Sequence, residues 1–226
     1  EITLDHGISG ASAAALGWYG VLIAERYEQY KMGFKFCQLA RILVLKHHFH
    51  DYEGKVLLTL DQVSVWIKPL PYSIECVNSG FSAAIGHGDV ATACFECCHQ
   101  VANLFTLGTP LNKILQEIER GLKFSQKSGF EDVKVIMLVQ RAFIENLHHN
   151  TNDSLSGHDF FAAVGYSTDG NIADRMSTLI FWFWLYKGIT HYLADEIKDA
   201  SVSLITAGYY AWSAPAHIHL LDYHFF

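Results

Sequence analysis

Small and apolar residues recur at i, i+4 and i+7 in four places: Gly33, Cys37 and Ala40; Cys76, Gly80 and Ala83; Ile114, Ile118 and Gly121; and Ala200, Leu204 and Ala207. On a helix of 3.6 residues per turn these positions share one face, so each set marks a stripe pressed against a neighbour. The stripes open about 40 residues apart, with one double step before Ala200. That period is the signature of stacked helix pairs. The pattern predicts an all-α fold, an α-solenoid of stacked antiparallel helix pairs with about 10–11 helices. Solenoids mostly bind or scaffold, so the repeat argues against catalysis.

Turn signals divide the chain into elements. Ser9 to Arg26 reads as a first helix and Tyr30 to His47 as a second. A third spans Lys55 to Ile67, its Leu and Val residues alternating with Asp61 and Gln62, before Pro69 and Pro71 break it. A fourth carries Cys76 and Gly80 up to Gly86, and Asp89 caps a fifth that runs to Leu107. Gly108, Thr109 and Pro110 read as stop, cap and first residue of a sixth helix ending near Lys127. Glu131 to His149 is a seventh. Asp174 to Leu193 and Asp195 to Ala207 follow, and Pro215 opens a final helix.

The stretch 150–171 is rich in Asn, Thr, Asp, Ser and Gly, with Phe160, Phe161 and Tyr166 as apolar anchors. It falls where the double step leaves a stripe missing. The expectation is an irregular connection, a hinge, and the first point of proteolytic cleavage. The whole of 1–226 reads as a single helical-repeat domain. From its aromatic C-terminus and missing polar end caps, the expectation is an interior fragment of a longer chain.

The 226 residues are 50% hydrophobic and 14% aromatic, enough to bury a sizeable core. A net charge of −7 disfavours a nucleic-acid groove. Five cysteines, an odd number without a signal peptide, point to a reducing, cytoplasmic compartment. The most apolar run, Leu179 to Tyr186, is too short to span a bilayer, so no membrane span is expected.

Several motifs invite chemistry. Gly86-His-Gly-Asp-Val-Ala91 matches a loose dinucleotide fingerprint, but it follows a helical face and no acidic residue lies about 20 positions on, so it reads as an inter-helix turn. Cys94, Cys97, Cys98 and His99 suggest a metal site. They lack a second knuckle, and their helical spacing favours packing. His47, His48 and His50 beside Asp51, and His148-His149, sit at helix ends, where cationic side chains suit the dipole. Glu117 and Glu119 lie among Lys113, Arg120 and Lys123 as a solvated face. No phosphate loop, kinase element, nucleophile elbow or H-E-x-x-H is present, so the segment is expected to hold no catalytic residues, no metal and no cofactor. Trp18, Trp66, Trp182, Trp184 and Trp212 are read as core or as walls of a metabolite pocket.

Tyr30–Leu43 (YKMGFKFCQLARIL), Cys76–Asp89 (CVNSGFSAAIGHGD), Gly121–Gly129 (GLKFSQKSG) and the end from Trp184 through Trp212-Ser-Ala-Pro to Leu221-Asp-Tyr-His-Phe-Phe resemble one family. This is the tetratricopeptide-like helical region of very large bacterial signalling proteins. There a serine/threonine-kinase-like domain precedes a regulatory ATPase of the AAA type, the helical region, a GAF sensor and a histidine kinase. The resemblance implies a regulatory and interaction segment of a signal-transduction kinase, with ATP-binding and kinase activity elsewhere in the chain. The implied partners are other domains of the same chain and a protein or small-molecule effector, not nucleic acid. The alternative is the effector-sensing helical domain of a nucleotide-switched transcription regulator.

Overall fold

The computed structural model describes Asp5, residues 7–149 and residues 172–226. The expected hinge at 150–171 lies outside the described residues. The ten helices described are α1 (Gly10–Arg26), α2 (Tyr30–Lys46), α3 (Glu53–Ser64), α4 (Leu70–Gly86), α5 (Val90–Thr106), α6 (Leu111–Ser128), α7 (Glu131–His149), α8 (Ser177–Leu193), α9 (Ile197–Gly208) and α10 (His219–Phe225). Two 3₁₀ turns, His50–Tyr52 and Ala211–Ser213, add to them, and no strand occurs among the described residues. The fold is all-α, with sequence-adjacent helices packed in pairs as in a helical repeat.

The residues form two compact units. The first holds Glu1–Leu107 with Pro215–Ile218, and the second Gly108–Ala214 with His219–Phe226. In the first, α1 packs on α2 and α3, α3 on α4, and α4 on α5. In the second, α6 pairs with α7, α7 with α8, and α8 with α9.

The period of about 40 has a simple origin. Helices α1, α2, α4 and α5 are each 17 residues long. Three-residue turns, Tyr27-Glu28-Gln29 and His87-Gly88-Asp89, join two of these pairs, so every second helix returns after about 40 residues. The turn is a repeated device: the helix ends, the next residue adopts a left-handed conformation, and a backbone bond closes the end. Asp89 N–H donates to Ala84 O at 2.8 Å, Phe49 N–H to Val44 O at 2.9 Å and Glu196 N–H to His191 O at 2.9 Å. These are Schellman bonds, which satisfy carbonyls the helix end would orphan. Gly88 suits its φ of 75°, whereas Glu28, His48 and Asp195 adopt φ of 54°, 57° and 63° with full side chains.

N-termini follow local chemistry. Ser9 and Ser12 form a reciprocal capping box on α1, and Asp89 accepts from Thr92 N–H on α5. Several expected boundaries shift. Pro110 is the N-cap of α6 with an extended ψ of 132°, not its first helical residue. Helix α3 stops at Ser64, because Trp66 and Ile67 donate to carbonyls three residues back in tight turns ahead of Pro69. Asp195 is left-handed, so α9 starts only at Ile197. Pro215 opens no helix, since Ala216 has a φ of 56°, and α10 begins at His219.

Ten of the twelve stripe residues are buried, and Ala83 and Leu204 are half-buried. Next to Ala83, Ala84 takes the fully packed place, where a β-carbon on Gly54 would lie 2.9 Å from its own. Leu204 fills the space at Gly188, 2.7 Å from where a β-carbon would stand. Leu179 through Phe183, with Leu185 and Tyr186, is buried in the second unit. Removing each such large side chain from water contributes about 1.5–3 kcal/mol. No helix among the described residues is long and apolar enough to cross a membrane.

Candidate functional site

A polar cluster lies inside the first unit, built around Asp61 on α3. Only 2% of Asp61 is exposed, in the middle of the run Val56–Val65, where helix geometry turns it toward α4 and α5. Its Oδ1 accepts from Ser73 Oγ on α4 and from Asn103 Nδ2 on α5, the latter at 2.6 Å. Its Oδ2 meets His99 Nδ1 at 2.6 Å. Asn103 Nδ2 also reaches Ser73 Oγ at 2.9 Å. His99 and Asn103 are i, i+4 partners on α5, so one face of that helix supplies both. His217, from the returning segment 215–218, sets its ring edge-on to His99 with centroids 4.3 Å apart.

Glu96, one turn before His99 and Gln100, behaves differently. It is fully buried, and neither carboxylate oxygen has a hydrogen-bond partner among the described residues. It packs where Gly80 leaves room: a β-carbon there would lie 2.8 Å from Glu96 Cδ. Burial first, and then the negative charge of Asp61, holds its carboxyl well above the ordinary value. Burial therefore favours the protonated acid in the folded chain. Asp61 has donors from three directions and Glu96 has none, so the two carboxyls play opposite roles.

This cluster cannot act as a serine nucleophile triad. Asp61 stands between Ser73 and His99, so the hydroxyl is hydrogen-bonded to the carboxylate and not to the imidazole. Its groups are enclosed by packed helices and link α3, α4 and α5 through shared hydrogen bonds.

The cysteines around it are mostly buried. Cys94 and Cys98 are buried, Cys97 is half-buried, and no group of three metal-ligating side chains with suitable geometry occurs among the described residues. Burial pushes the Cys37 and Cys76 thiols up to about 12, away from the reactive thiolate. Cys37 instead donates to Gly17 O at 3.4 Å. His47 is the C-cap of α2, His48 the left-handed residue after it, and His50 opens a 3₁₀ turn. His87, from the α4–α5 turn, stacks on His50 at 5.9 Å and lies 3.1 Å from Asp51. Nothing in the spacing of His47, His48 and His50 announces that fourth histidine. Gly86–Ala91 forms the α4–α5 turn, where Lys55 reaches Asp89 at 2.5 Å. Burial pushes the Asp89 carboxyl up, but bonds from Lys55 and Thr92 outweigh it and hold it below its usual value. Glu117 pairs with Arg120 at 2.8 Å and Glu119 with Arg141 at 3.4 Å, both on the surface.

An open cleft of about 500 Å³ lies in the first unit between the start of α2 and the turn after α3. Tyr30 and Trp66 form its aromatic wall, with ring centroids 5.1 Å apart and planes inclined by 31°. The Trp66 indole is fixed by donating to Ala216 O at 2.7 Å. Lys31, Lys35, Glu28 and Ile67 complete the lining. Burial, then Glu28 and Glu25, raises the Tyr30 hydroxyl above its ordinary value. Of the other tryptophans, Trp182 is buried, Trp184 stacks under Lys187 at 4.9 Å, and Trp18 and Trp212 are exposed.

No family model, no curated protein and no solved structure matches the chain.

Proposed function

We propose that the chain is a regulatory and interaction helical-repeat segment of a cytosolic multi-domain signal-transduction kinase that carries a nucleotide-binding regulatory ATPase. It performs no chemistry of its own. The observation that supports this reading most is the division between inner and outer helix faces. Inside, small residues and the Asp61 network lock the helices. Outside, Leu39, Ile42 and Leu45 leave an apolar row along α2, each at least 43% exposed. Such a row on a well-packed helix suits a partner surface. Neighbour-to-neighbour packing lets a contact at one helix bias the next, which is how a repeat can regulate attached domains. Deletion of residues 1–226 from the intact protein tests this: stimulus-dependent kinase output should be lost. An unchanged response would remove the regulatory role.

The second reading, an effector-sensing domain of a nucleotide-switched transcription regulator, draws support from the Tyr30–Trp66 cleft. A helix-turn-helix in the intact protein, with DNA binding altered by deletion of this segment, would favour it.

A further inference from the structure

We propose that the cleft between α2 and the α3–α4 turn binds a small molecule with a flat apolar ring and a negatively charged group at one end. The inference stands whichever regulatory output the chain has. A volume of about 500 Å³ is in the range of small-ligand sites. The wall is preformed on one side, because Trp66 is tied to Ala216 O and backed by Tyr30. A flat ring laid on a fixed indole gains contact area at little entropic cost.

Charge sets the ligand's other end. Lys31 and Lys35 are exposed and one turn apart on the same face of α2, and no carboxylate of the described residues lies within ion-pair distance of either. Lys68, just past Ile67, is not part of the lining and holds its ammonium 5.5 Å over the Phe34 ring. In a chain of net charge −7, Lys31 and Lys35 put two cations on one stretch of the cleft rim, while Glu28 and Glu25 act on the Tyr30 end. Glu28 lines the cleft too, so a second anionic group at that end would be repelled. The ligand therefore directs its single charged end toward Lys31 and Lys35 and its ring toward Trp66.

The test uses naphthalene-2-sulfonate as probe on the 226-residue chain. The neutral ring 2-naphthalenemethanol and the ringless anion methanesulfonate serve as controls. The readout is the indole N–H resonance of Trp66, assigned by its loss in Trp66→Phe. The expected result is a saturable shift with naphthalene-2-sulfonate, binding about fivefold weaker for the neutral ring, and no shift with methanesulfonate. The double variant K31E/K35E, at exposed positions, should keep the denaturation midpoint and weaken sulfonate binding about tenfold. An unmoved Trp66 resonance at millimolar probe, equal affinity for charged and neutral rings, or unaltered binding by K31E/K35E would each overturn the proposal.

Discussion

Gly20 and Gly33 face each other across the α1–α2 contact, each standing where the other helix's backbone would meet a side chain. A β-carbon on Gly20 would lie 2.7 Å from Cys37 Sγ, and one on Gly33 would lie 2.8 Å from Ala24 Cβ. In both cases the facing glycine's carbonyl oxygen is also in the way. A carbonyl oxygen cannot swing aside as a flexible side chain does, so the helices must separate.

Gly33→Ala should therefore destabilise the chain although alanine is the better helix former. Alanine brings back about 1 kcal/mol of propensity, while overpacking costs about 1–3 kcal/mol and most where backbone is struck. A net loss of about 1–2 kcal/mol is expected, read as a lower urea midpoint. Gly86, which ends α4 with nothing within 4 Å of where a β-carbon would stand, is the matched control. Gly86→Ala should gain about 0.5–1 kcal/mol. Equal effects at the two glycines would contradict the close approach.

The Asp61 network makes a different prediction. Asp61→Ala strands Ser73, His99 and Asn103 without their common acceptor in a closed interior. Leaving buried donors of this kind unsatisfied costs about 1–3 kcal/mol each. Ser73→Ala and Asn103→Ala, which share that acceptor and each other, should couple by about 0.5–3 kcal/mol in a double-mutant cycle. Strict additivity would mean that the three side chains do not act as one network.

These two features differ in how far the sequence announces them. The small-residue stripes and turn residues are local, so helix positions follow from spacing alone. The stripe of α2 points at α1 because Gly33 needs a partner as small as Gly20. The Asp61 network is made of residues 12, 38 and 42 positions from Asp61. In the sequence Asp61 and Gln62 are only polar residues alternating with Leu and Val along α3, and both are buried. One signal does exist: Asp61 sits inside a run of Val and Leu, and His99 and Asn103 lie one turn apart on the apolar face of α5. The cleft is less legible still, because it needs the turn after Ser64 to bring Trp66 to Tyr30. The left-handed residues Ala216 and Asp195 have no glycine to signal them, so spacing alone does not place the boundaries they set.

Those left-handed positions are testable. His48 follows α2 at a φ of 57°, where a β-carbon crowds the backbone. His48→Gly should stabilise by up to about 1 kcal/mol. Gly129→Ala, at a φ of 74° after α6, should cost about 1–2 kcal/mol. Thermal midpoints moving in the same direction for both variants would refute the conformational argument.

Glu96 ties the core to pH. Its folded carboxyl is held above the ordinary value by burial and by Asp61. In the unfolded chain it titrates near the usual glutamate value of about 4.3. A group whose folded value is raised contributes stability fully present below the unfolded value. That contribution is lost as pH rises through the folded one, because the unfolded chain gives up a proton that the folded chain retains. Between those limits one such group lowers stability by about 1.4 kcal/mol per pH unit. Glu96→Gln removes the titrating proton while keeping the shape beside Gly80. Wild type and Glu96→Gln should match most closely near pH 4. Above it the variant should become progressively the more stable of the two, as read from urea midpoints at a series of pH values up to 8. Parallel pH profiles for the two proteins would show that Glu96 keeps an ordinary titration despite its burial.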